Sequence, residues 1–294
     1  MFFNLFKKKT KVLFYGSKGW IGGLFIDYIK KVYPDLEIIN GTSRIDNYRD
    51  TMVEIKVNRP THVISFTGKT RGVIDGNSIN TIDYLEYPDK LKENIENNLY
   101  GPLNLAIICK KNKIHYTYLG TGCIFDGPGT FGPGAEPNFF GSQYSVVKGF
   151  TDRIMHDYPV LNLRIRMPIS SIPHPNNFIT KILNYSSICS IQNSMTVLDD
   201  FWDIFIDLVL KNKIGTYNCT NPETIEHSEI LKYFPNKVWT PMSLDEQSKL
   251  LKCGRSNNHL STIELSQEYP KLKCITESIK DLVIKYSGYP TNLI

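Results

Sequence analysis

Short apolar runs alternate with longer segments of helical periodicity along the first 168 residues of the chain. Five runs have the length and the β-branched and aromatic content of strands: KVLFY (11–15), LEIIN (36–40), HVISF (62–66), IHYTYL (114–119) and LNLRIRM (161–167). Four segments have helical spacing of apolar residues: 20–33, 46–57, 88–112 and 142–157. We expect the third helix to bend or break at Gly101-Pro102, because proline removes a helical hydrogen bond. This alternation predicts an α/β fold with a Rossmann-type, doubly wound parallel sheet.

The sequence becomes richer in turns after Pro168, and its predicted helices become short, at 177–186, 199–211 and 275–287. We interpret this change as a smaller C-terminal, substrate-binding lobe. The predicted division assigns 1–168, with 195–220 returning to it, to a cofactor-binding domain, and 169–194 with 221–294 to the lobe. Ligands of such folds bind at the carboxyl ends of the strands.

Composition and charge favour a reduced, soluble, cytoplasmic protein that binds neither nucleic acid nor a membrane. The 294 residues carry a net charge of +5, and the one basic run, Lys7-Lys8-Lys9, is interpreted as a solvated flank. The N-terminal MFFNLF is too short for a signal sequence, and no apolar run reaches the roughly 20 residues of a membrane span. The six cysteines form no CxxC and the six histidines are isolated, so no metal site is expected.

The stretch GSKGWIG (16–22) predicts a dinucleotide site between the first strand and the first helix. Its glycines allow a tight turn, a close approach to a pyrophosphate and close helix–sheet packing. An ordinary strand-to-helix turn is the alternative. The predicted cofactor-binding residues of this turn are Gly16, Ser17, Lys18, Gly19, Trp20, Ile21 and Gly22.

Residues after the second and third strands extend this cofactor site. Ser43 and Arg44 follow the second strand, where an acidic residue would favour NAD. Because a guanidinium suits a 2′-phosphate, we expect NADPH, with NADH as the alternative. Thr67 and Gly68, in SFTGKTRG (65–72), are assigned to the same site.

The stretch YSVVK (144–148) places Tyr144 and Lys148 on one face of a helix. Two other pairs with this spacing, in YFPNK and YPKLK, contain proline, which disrupts a helix. Together with Thr121, at the end of the fourth strand, Tyr144 and Lys148 predict a carbonyl-reduction triad. Thr121 would polarise the carbonyl, Tyr144 would donate the proton, and Lys148 would hold the ribose and tune Tyr144. The alternative is a surface tyrosine and lysine.

These motifs resemble the extended short-chain dehydrogenase/reductase superfamily. Longer blocks resemble the UDP-4-keto-6-deoxyglucose 3,5-epimerase/4-reductases, which also form the C-terminal half of plant rhamnose synthases and are similar to dTDP-4-dehydrorhamnose reductases. The blocks are TGCIFDG (121–127), PNFFGSQYSVVK (137–148), LRIRMPIS (163–170), NNFITKI (176–182), NSMTVLDD (193–200) and RSNN (255–258). The resemblance runs from about residue 11 to 285, and SFTGKTRG departs from the Asn-Ala-Ala that the family usually carries there.

The resemblance implies epimerisation of UDP-4-keto-6-deoxy-D-glucose at C3 and C5, followed by NADPH-dependent reduction at C4 to UDP-L-rhamnose. It implies that Cys123 and Lys181 are the epimerase acid–base pair; from the residues alone, Cys123 is more often a packing residue and Lys181 a solvated one. Asn177, Phe178 and Arg255 are expected to bind substrate, and Asn98 to support the helix and the proton relay.

The resemblance further implies a homodimer through the helices at 88–112 and 142–157, and an upstream UDP-glucose 4,6-dehydratase that supplies the substrate. Two alternatives stay open: a 4-reductase without epimerase activity, and a non-catalytic NADP-binding regulatory subunit. A 4,6-dehydratase is disfavoured, because Gly122-Cys123 stands where such enzymes carry Asp-Glu.

Overall fold

A computed structural model describes residues 10–286. The predictions for MFFNLF and Lys7-Lys8-Lys9, and for the lobe beyond 286, lie outside these residues. The strands are β1 (Lys11–Tyr15), β2 (Glu37–Asn40), β3 (His62–Ser65), β4 (Gly72–Ile74), β5 (Asn77–Ile79), β6 (His115–Thr121), β7 (Thr130–Phe131), β8 (Val160–Ile165), β9 (Pro168–Ile169), β10 (Ser187–Ile188), β11 (Thr196–Val197), β12 (Gly215–Asn218), β13 (Thr240–Pro241) and β14 (His259–Leu260).

The helices are α1 (Trp20–Val32), α2 (Tyr48–Asn58), α3 (Lys90–Ile95), α4 (Gly101–Asn112), α5 (Gln143–Met155), α6 (Phe178–Asn184), α7 (Leu198–Leu210), α8 (His227–Leu231), α9 (Leu244–Leu250), α10 (Ile263–Glu268) and α11 (Ile275–Tyr286). A 3₁₀ helix, Ile82–Glu86, follows β5, and a π-helical turn, Glu96–Tyr100, joins α3 to α4.

The central sheet has six parallel strands in the order β2-β1-β3-β6-β8-β12. The chain leaves β1 first towards β2 and then returns to build outwards from β3, so the strand order reverses between β1 and β3. Open parallel sheets bind their ligands at such a reversal, outside the carboxyl ends of the strands. The predicted doubly wound parallel sheet is confirmed, with β12 as an edge strand that the sequence analysis did not identify.

Helices cover both faces of this sheet because alternate side chains of each strand point to opposite faces. In β1, Val12 and Phe14 pack with apolar residues of α1 and α7, such as Phe25. Leu13 and Tyr15 pack on the other face, with apolar residues of α2, α4 and α5. Residues 12–15 of β1 are 0–2% exposed, so this part of the strand is a continuous buried run rather than an alternating one.

The irregularity in the long helix is a π-helical turn at Glu96–Tyr100, directly before the predicted break at Gly101-Pro102. Pro102 has no N–H, so it cannot donate to the carbonyl of Asn98 one turn earlier. The Thr151 hydroxyl of α5 donates to that carbonyl instead, at 2.6 Å. The helix therefore does not break at Gly101-Pro102 but continues through these residues, and the backbone widens in the turn before them; the predicted bend stays a prediction.

A third apolar cluster lies in the second half of the chain, away from the sheet. Its fully buried members come from α6, β11, α8 and α11, and they include Ile179, Val197, Ile230 and Ile279. The predicted domain boundaries stay a prediction. Within residues 10–286, no helix is long and apolar enough to cross a membrane, and no group of three or more His, Cys, Asp or Glu side chains forms a metal site.

Candidate active site

The glycine turn after β1 is shaped by contacts that exclude side chains. Gly16 has φ +94°, and a Cβ there would lie 2.8 Å from the Phe66 carbonyl carbon at the end of β3. A Cβ on Gly22 would lie 2.2 Å from the Gly16 carbonyl oxygen. These contacts bring the start of α1 to the reversal point of the sheet, where the sequence predicts the dinucleotide.

The N-terminus of α1 fits a pyrophosphate. Its N-cap, Gly19, makes no side-chain capping bond, and the first turn carries no acidic residue. The free amides and the helix dipole therefore suit an anion, as the exposed Lys18 next to them does. Trp20 stacks on His174, with ring centroids 5.3 Å apart, and so joins this turn to the segment after β9.

The loop after β2 holds Arg44 at the surface. The Glu54 carboxylate accepts bonds from the backbone N–H and hydroxyl groups of Thr42 and Ser43. Burial opposes ionisation of Glu54, but these bonds outweigh it and lower its pKa to about 2. The Arg44 guanidinium donates to Asp46 at 2.9 and 3.1 Å and its side chain is 67% exposed. The Arg44 guanidinium, which is expected to bind the 2′-phosphate, thus lies in solvent and is oriented by the Asp46 carboxylate.

The loop after β3 is fixed by its own hydroxyls and by the π-helical turn. The hydroxyls of Ser65 and Thr67 are 2.7 Å apart. The Asn98 side chain accepts from the Lys69 N–H at 3.0 Å and donates to the Lys69 carbonyl at 2.8 Å. A Cβ on Gly68 would lie 3.2 Å from the Asn98 amide oxygen. Asn98 therefore positions the predicted cofactor residues Thr67 and Gly68.

Thr121 and Tyr144 meet at the carboxyl end of β6. Thr121 is the last residue of that strand, and Tyr144 lies in the first turn of α5, which Ser142 caps. Burial raises the pKa of Tyr144, the nearby Cys123 raises it further, and a hydrogen bond with Thr121 opposes the rise. The phenol is therefore protonated at neutral pH, as a proton donor to a carbonyl oxygen requires.

Lys148 is buried and its ammonium contacts a tyrosine that the sequence analysis missed. It donates a hydrogen bond to the Tyr118 hydroxyl and a long one, 3.4 Å, to the Leu119 carbonyl. Burial lowers the pKa of Lys148 to about 8. Within residues 10–286, the structure shows no hydrogen bond between Lys148 and Tyr144, so the predicted tuning of Tyr144 stays a prediction.

Cys123 lies within electrostatic range of Lys181. It also interacts electrostatically with Tyr144 and Lys148. Burial lowers the pKa of Lys181, and the positive charges of Arg71 and Arg255 lower it further. The Lys181 ammonium donates to the Asn80 carbonyl at 3.2 Å. Cys123 is thus an electrostatic neighbour both of Lys181 and of Tyr144 and Lys148 of the predicted triad.

A covering segment, residues 72–86, packs over Tyr144 and Cys123. It comprises β4, β5 and the 3₁₀ helix. Tyr84 and Leu85 pack against Tyr144, with Cys123 at the edge of the cluster. Asp83 accepts from the Lys252 N–H at 2.8 Å and forms an ion pair with Arg255. The predicted diphosphate ligand Arg255 is therefore held beside the site by a carboxylate of the covering segment.

The other two predicted substrate residues have structural contacts. The Asn177 side chain is fully buried and caps α6: it accepts from the Ile179 N–H and donates to the carbonyls of Ser170 and Ile172. Phe178 packs in the third apolar cluster and its ring lies 5.1 Å from that of His227. Both N–H groups of Asn177 are engaged, so this residue positions the helix that carries Lys181.

The RSNN block fixes the turn that carries Cys123. The Asn258 amide donates to the carbonyls of Gly122 and Phe125 at 2.9 and 2.8 Å. The Ser145 hydroxyl donates to the Cys123 carbonyl at 2.7 Å. Sequence reasoning missed these contacts, and it also missed Arg166, whose guanidinium reaches Cys123. In the sequence, the only indication of Asn258 and Arg166 is that they lie in the quoted blocks RSNN and LRIRMPIS.

Comparisons with known proteins connect the whole chain to rhamnose synthesis. Protein L780 of Acanthamoeba polyphaga mimivirus is 47% identical over 289 residues, 94% of this chain and 98% of L780. The crystal structure of the L780 UDP-rhamnose synthase superposes with a TM-score of 0.90 at 46% identity, covering 95% of this chain and 100% of that one. No protein-family model matches the chain.

Two Arabidopsis thaliana proteins are also similar. The bifunctional dTDP-4-dehydrorhamnose 3,5-epimerase/dTDP-4-dehydrorhamnose reductase is 35% identical over 288 residues, 93% of this chain and 92% of that protein. A trifunctional UDP-glucose 4,6-dehydratase/3,5-epimerase/reductase is 35% identical over 294 residues, 95% of this chain, but the match spans only 42% of that protein. A Bacillus anthracis dTDP-4-dehydrorhamnose reductase, solved with NADP, shares the fold, with a TM-score of 0.77 at 15% identity over 95% of this chain and 100% of that one.

Proposed function

The chain belongs to the rhamnose-synthesis reductase family, together with L780 and the Arabidopsis bifunctional epimerase/reductase, and we propose that it catalyses two reactions at one site. The first is 3,5-epimerisation of UDP-4-keto-6-deoxy-D-glucose. The second is NADPH-dependent reduction of the C4 ketone, which gives UDP-L-rhamnose. The observation that supports this proposal is that Cys123 packs in one cluster with Tyr144, which bonds Thr121, and acts electrostatically on Tyr144 and Lys181.

Epimerisation needs a base on one face of the sugar ring and an acid on the other. The protons on C3 and C5 are acidic because both carbons flank the C4 ketone. Loss of either proton places negative charge on the C4 oxygen, and reprotonation from the opposite face inverts the carbon. Cys123 and Lys181 suit these two roles, since a thiol and an amine can each give and take a proton, and burial lowers the pKa of Lys181.

Reduction develops charge on the same C4 oxygen. The Tyr144 phenol would donate a proton to that oxygen, and the Thr121 hydroxyl would hold it by a hydrogen bond. One oxyanion site can therefore serve both reactions. The nucleotide would be held by the glycine turn, Thr67, Gly68 and Arg44, and its chemistry, when it is bound, is to supply hydride to C4.

The charges around the site suit a sugar nucleotide. The positive charges of Arg71 and Arg255 both act on Lys181, so this neighbourhood favours a diphosphate. L780 is described as a UDP-rhamnose synthase, which supports UDP over dTDP for this chain. We further propose a homodimer through α4 and α5. Because the trifunctional relative carries a dehydratase activity, we also propose that a separate UDP-glucose 4,6-dehydratase supplies the substrate.

The test is incubation of the protein with UDP-4-keto-6-deoxy-D-glucose and NADPH in deuterated water, with products identified by NMR. We expect UDP-L-rhamnose that carries deuterium at C3 and C5. Tyr144→Phe should lose reduction, and Cys123→Ala should lose deuterium incorporation at one or both carbons. Reduction without any deuterium would leave a 4-reductase only, and no NADPH consumption with any 4-keto sugar would indicate a non-catalytic binding protein.

A further inference from the structure

Arg166 follows β8 and is 1% exposed, and every group it hydrogen-bonds is neutral when Cys123 is a thiol. Its guanidinium donates to Asn193 Oδ1, to the Ser256 carbonyl, to the Ser256 hydroxyl at 2.8 Å, and to the Cys123 sulfur at 3.5 Å. Its Nε has no hydrogen-bond partner among residues 10–286. Since an arginine stays protonated in proteins, a full positive charge is buried here; the Asp126 carboxylate acts on it electrostatically, but no anion is bonded to it directly.

The same strand provides a comparison two residues earlier. Arg164 is also fully buried, but its guanidinium donates two bonds to the Asp152 carboxylate, one of them at 2.8 Å. A buried charge is costly unless an opposite charge accompanies it, and Asp152 meets this requirement for Arg164. At Arg166, the Cys123 sulfur is the bonded atom that can become an anion.

Gly122 lies beside this contact. A Cβ on Gly122 would lie 3.5 Å from Arg166 Cδ and 2.6 Å from the Leu260 side chain. One terminal nitrogen of the guanidinium donates to both the Ser256 hydroxyl and the Cys123 sulfur, and the other donates to Asn193 and to the Ser256 carbonyl, so the orientation of the guanidinium is fixed. A fixed, dehydrated donor acts more strongly on a neighbouring anion than a mobile one in water.

We infer that Arg166 is a positioning residue of the epimerase site, which stabilises the thiolate form of Cys123 and holds its sulfur towards the sugar. This inference rests on the proposed function, in which Cys123 exchanges a proton with C3 or C5. No other reactant is involved: the sulfur takes the proton from carbon or returns one, and the guanidinium keeps all of its own. Reduction at C4 does not require Arg166.

The direct test measures the thiolate without any substrate. Cys123 is alkylated with iodoacetamide between pH 5.5 and 9.5, and the modified peptide is quantified by mass spectrometry, with the partly exposed Cys274 as internal reference. An adjacent fixed positive charge favours a thiolate by a factor of ten or more in typical sites. We therefore expect Arg166→Gln to slow alkylation of Cys123 at pH 7 by about tenfold or more and to move its pH profile to higher pH. The rate at Cys274 should not change.

Because Tyr144, Lys148 and Lys181 also act on Cys123, the comparison is made between variants that retain all three. Arg166→Lys keeps the charge but not the fork of donors, so its alkylation rate should lie between those of the wild type and the glutamine variant. Arg164→Lys is the matched control on the same strand, and it should alkylate like the wild type. These two lysine variants decide the question even if Arg166→Gln does not fold.

Equal alkylation profiles in the wild type and both lysine variants, or equal changes in both, would overturn the inference. A second readout is deuterium exchange at C3 and C5, which should fall with the alkylation rate. Altered alkylation with unchanged exchange would refute the role of Cys123 in the proposed function but leave the Arg166–thiolate pair intact.

Discussion

The ammonium of Lys148 donates a hydrogen bond to the hydroxyl of Tyr118, and its nitrogen lies 4.4 Å from the centre of that ring. Tyr118 is fully buried in β6, three residues before Thr121. The contact joins the predicted catalytic helix to the predicted catalytic strand. It also supplies the buried lysine with a hydrogen-bond acceptor and an aromatic face, both of which stabilise its charged form.

Tyr118→Phe should therefore slow reduction at pH 7 by about five- to tenfold, the effect of losing one hydrogen bond to a charged group. Since burial already lowers the pKa of Lys148 to about 8, loss of the acceptor should move the alkaline limb of the reduction rate to lower pH. The measurement is the initial rate of NADPH oxidation with the epimerised 4-keto sugar between pH 6 and 10.

Tyr116→Phe is the control for this prediction. Tyr116 lies two residues away on the same strand and is equally buried, but its hydroxyl interacts with Ser65 and not with Lys148. Its removal should leave the rate and the pH profile unchanged. Identical profiles for the two variants would mean that Tyr118 only fills space.

Much of the fold follows from the sequence because the signals are local. The strands of the sheet core are apolar runs, and the helices between them have regular spacing, so the parallel sheet was predicted. The edge strand β12 was missed because GTYN has few apolar residues and one of its sides faces solvent. The sequence did not indicate the exact position of the helix irregularity, because a long-range contact contributes to it. The hydroxyl of Thr151, 53 residues away, donates to the carbonyl of Asn98.

The candidate site was proposed from the sequence as a set of residue types, and its contacts could not be proposed in the same way. Thr121, Tyr144 and Lys148 were found from spacing, and Cys123 and Lys181 from the resemblance. Long-range contacts determine what these groups touch, and no spacing rule predicts that Asp83 meets Arg255 or that Arg166 meets Cys123.

Arg44→Ala should lower the preference for NADPH over NADH by about ten- to a hundredfold, as expected for a charge-assisted bond to the 2′-phosphate. The ratio of kcat/KM for the two nucleotides measures the preference. Asp46→Ala is the informative partner variant, since it removes the carboxylate that orients the guanidinium. We expect it to retain the preference with a higher KM for NADPH. An unchanged ratio in Arg44→Ala would move the selectivity determinant elsewhere.

His62 should make the fold sensitive to mild acid. Burial and the neighbouring His115 lower the pKa of His62 from 6.5 to about 4. A histidine with a lowered pKa contributes its full stability above pH 6.5, and this contribution is lost as the pH falls towards 4, since only the unfolded state binds the proton. The loss from this residue is on the order of 3 kcal/mol across the window.

Urea unfolding of the wild type and His62→Gln at pH 7.0, 6.0 and 5.0 tests this expectation. The difference in free energy of unfolding between the two should become smaller, or change sign, as the pH falls. His259→Gln, in the short strand β14, is the control and should keep the wild-type slope. A slope in His62→Gln equal to that of the wild type would exclude His62 as the acid-sensitive group.

Asp83→Asn should open the covering segment. Asp83 is 8% exposed and joins this segment to the 252–255 loop through the Lys252 N–H and the Arg255 guanidinium. The amide cannot form the ion pair, so Tyr84 and Leu85 should cover Tyr144 less tightly. We expect the KM for the sugar nucleotide to rise by about tenfold, the typical effect of losing one partly buried ion pair, with an unchanged KM for NADPH.

Asp75→Asn, at the exposed tip of the β4–β5 hairpin, should behave like the wild type in the same steady-state assay. A lower KM in Asp83→Asn would instead mean that Asp83 competes with the diphosphate for Arg255, so that the ion pair restrains binding rather than supporting the site.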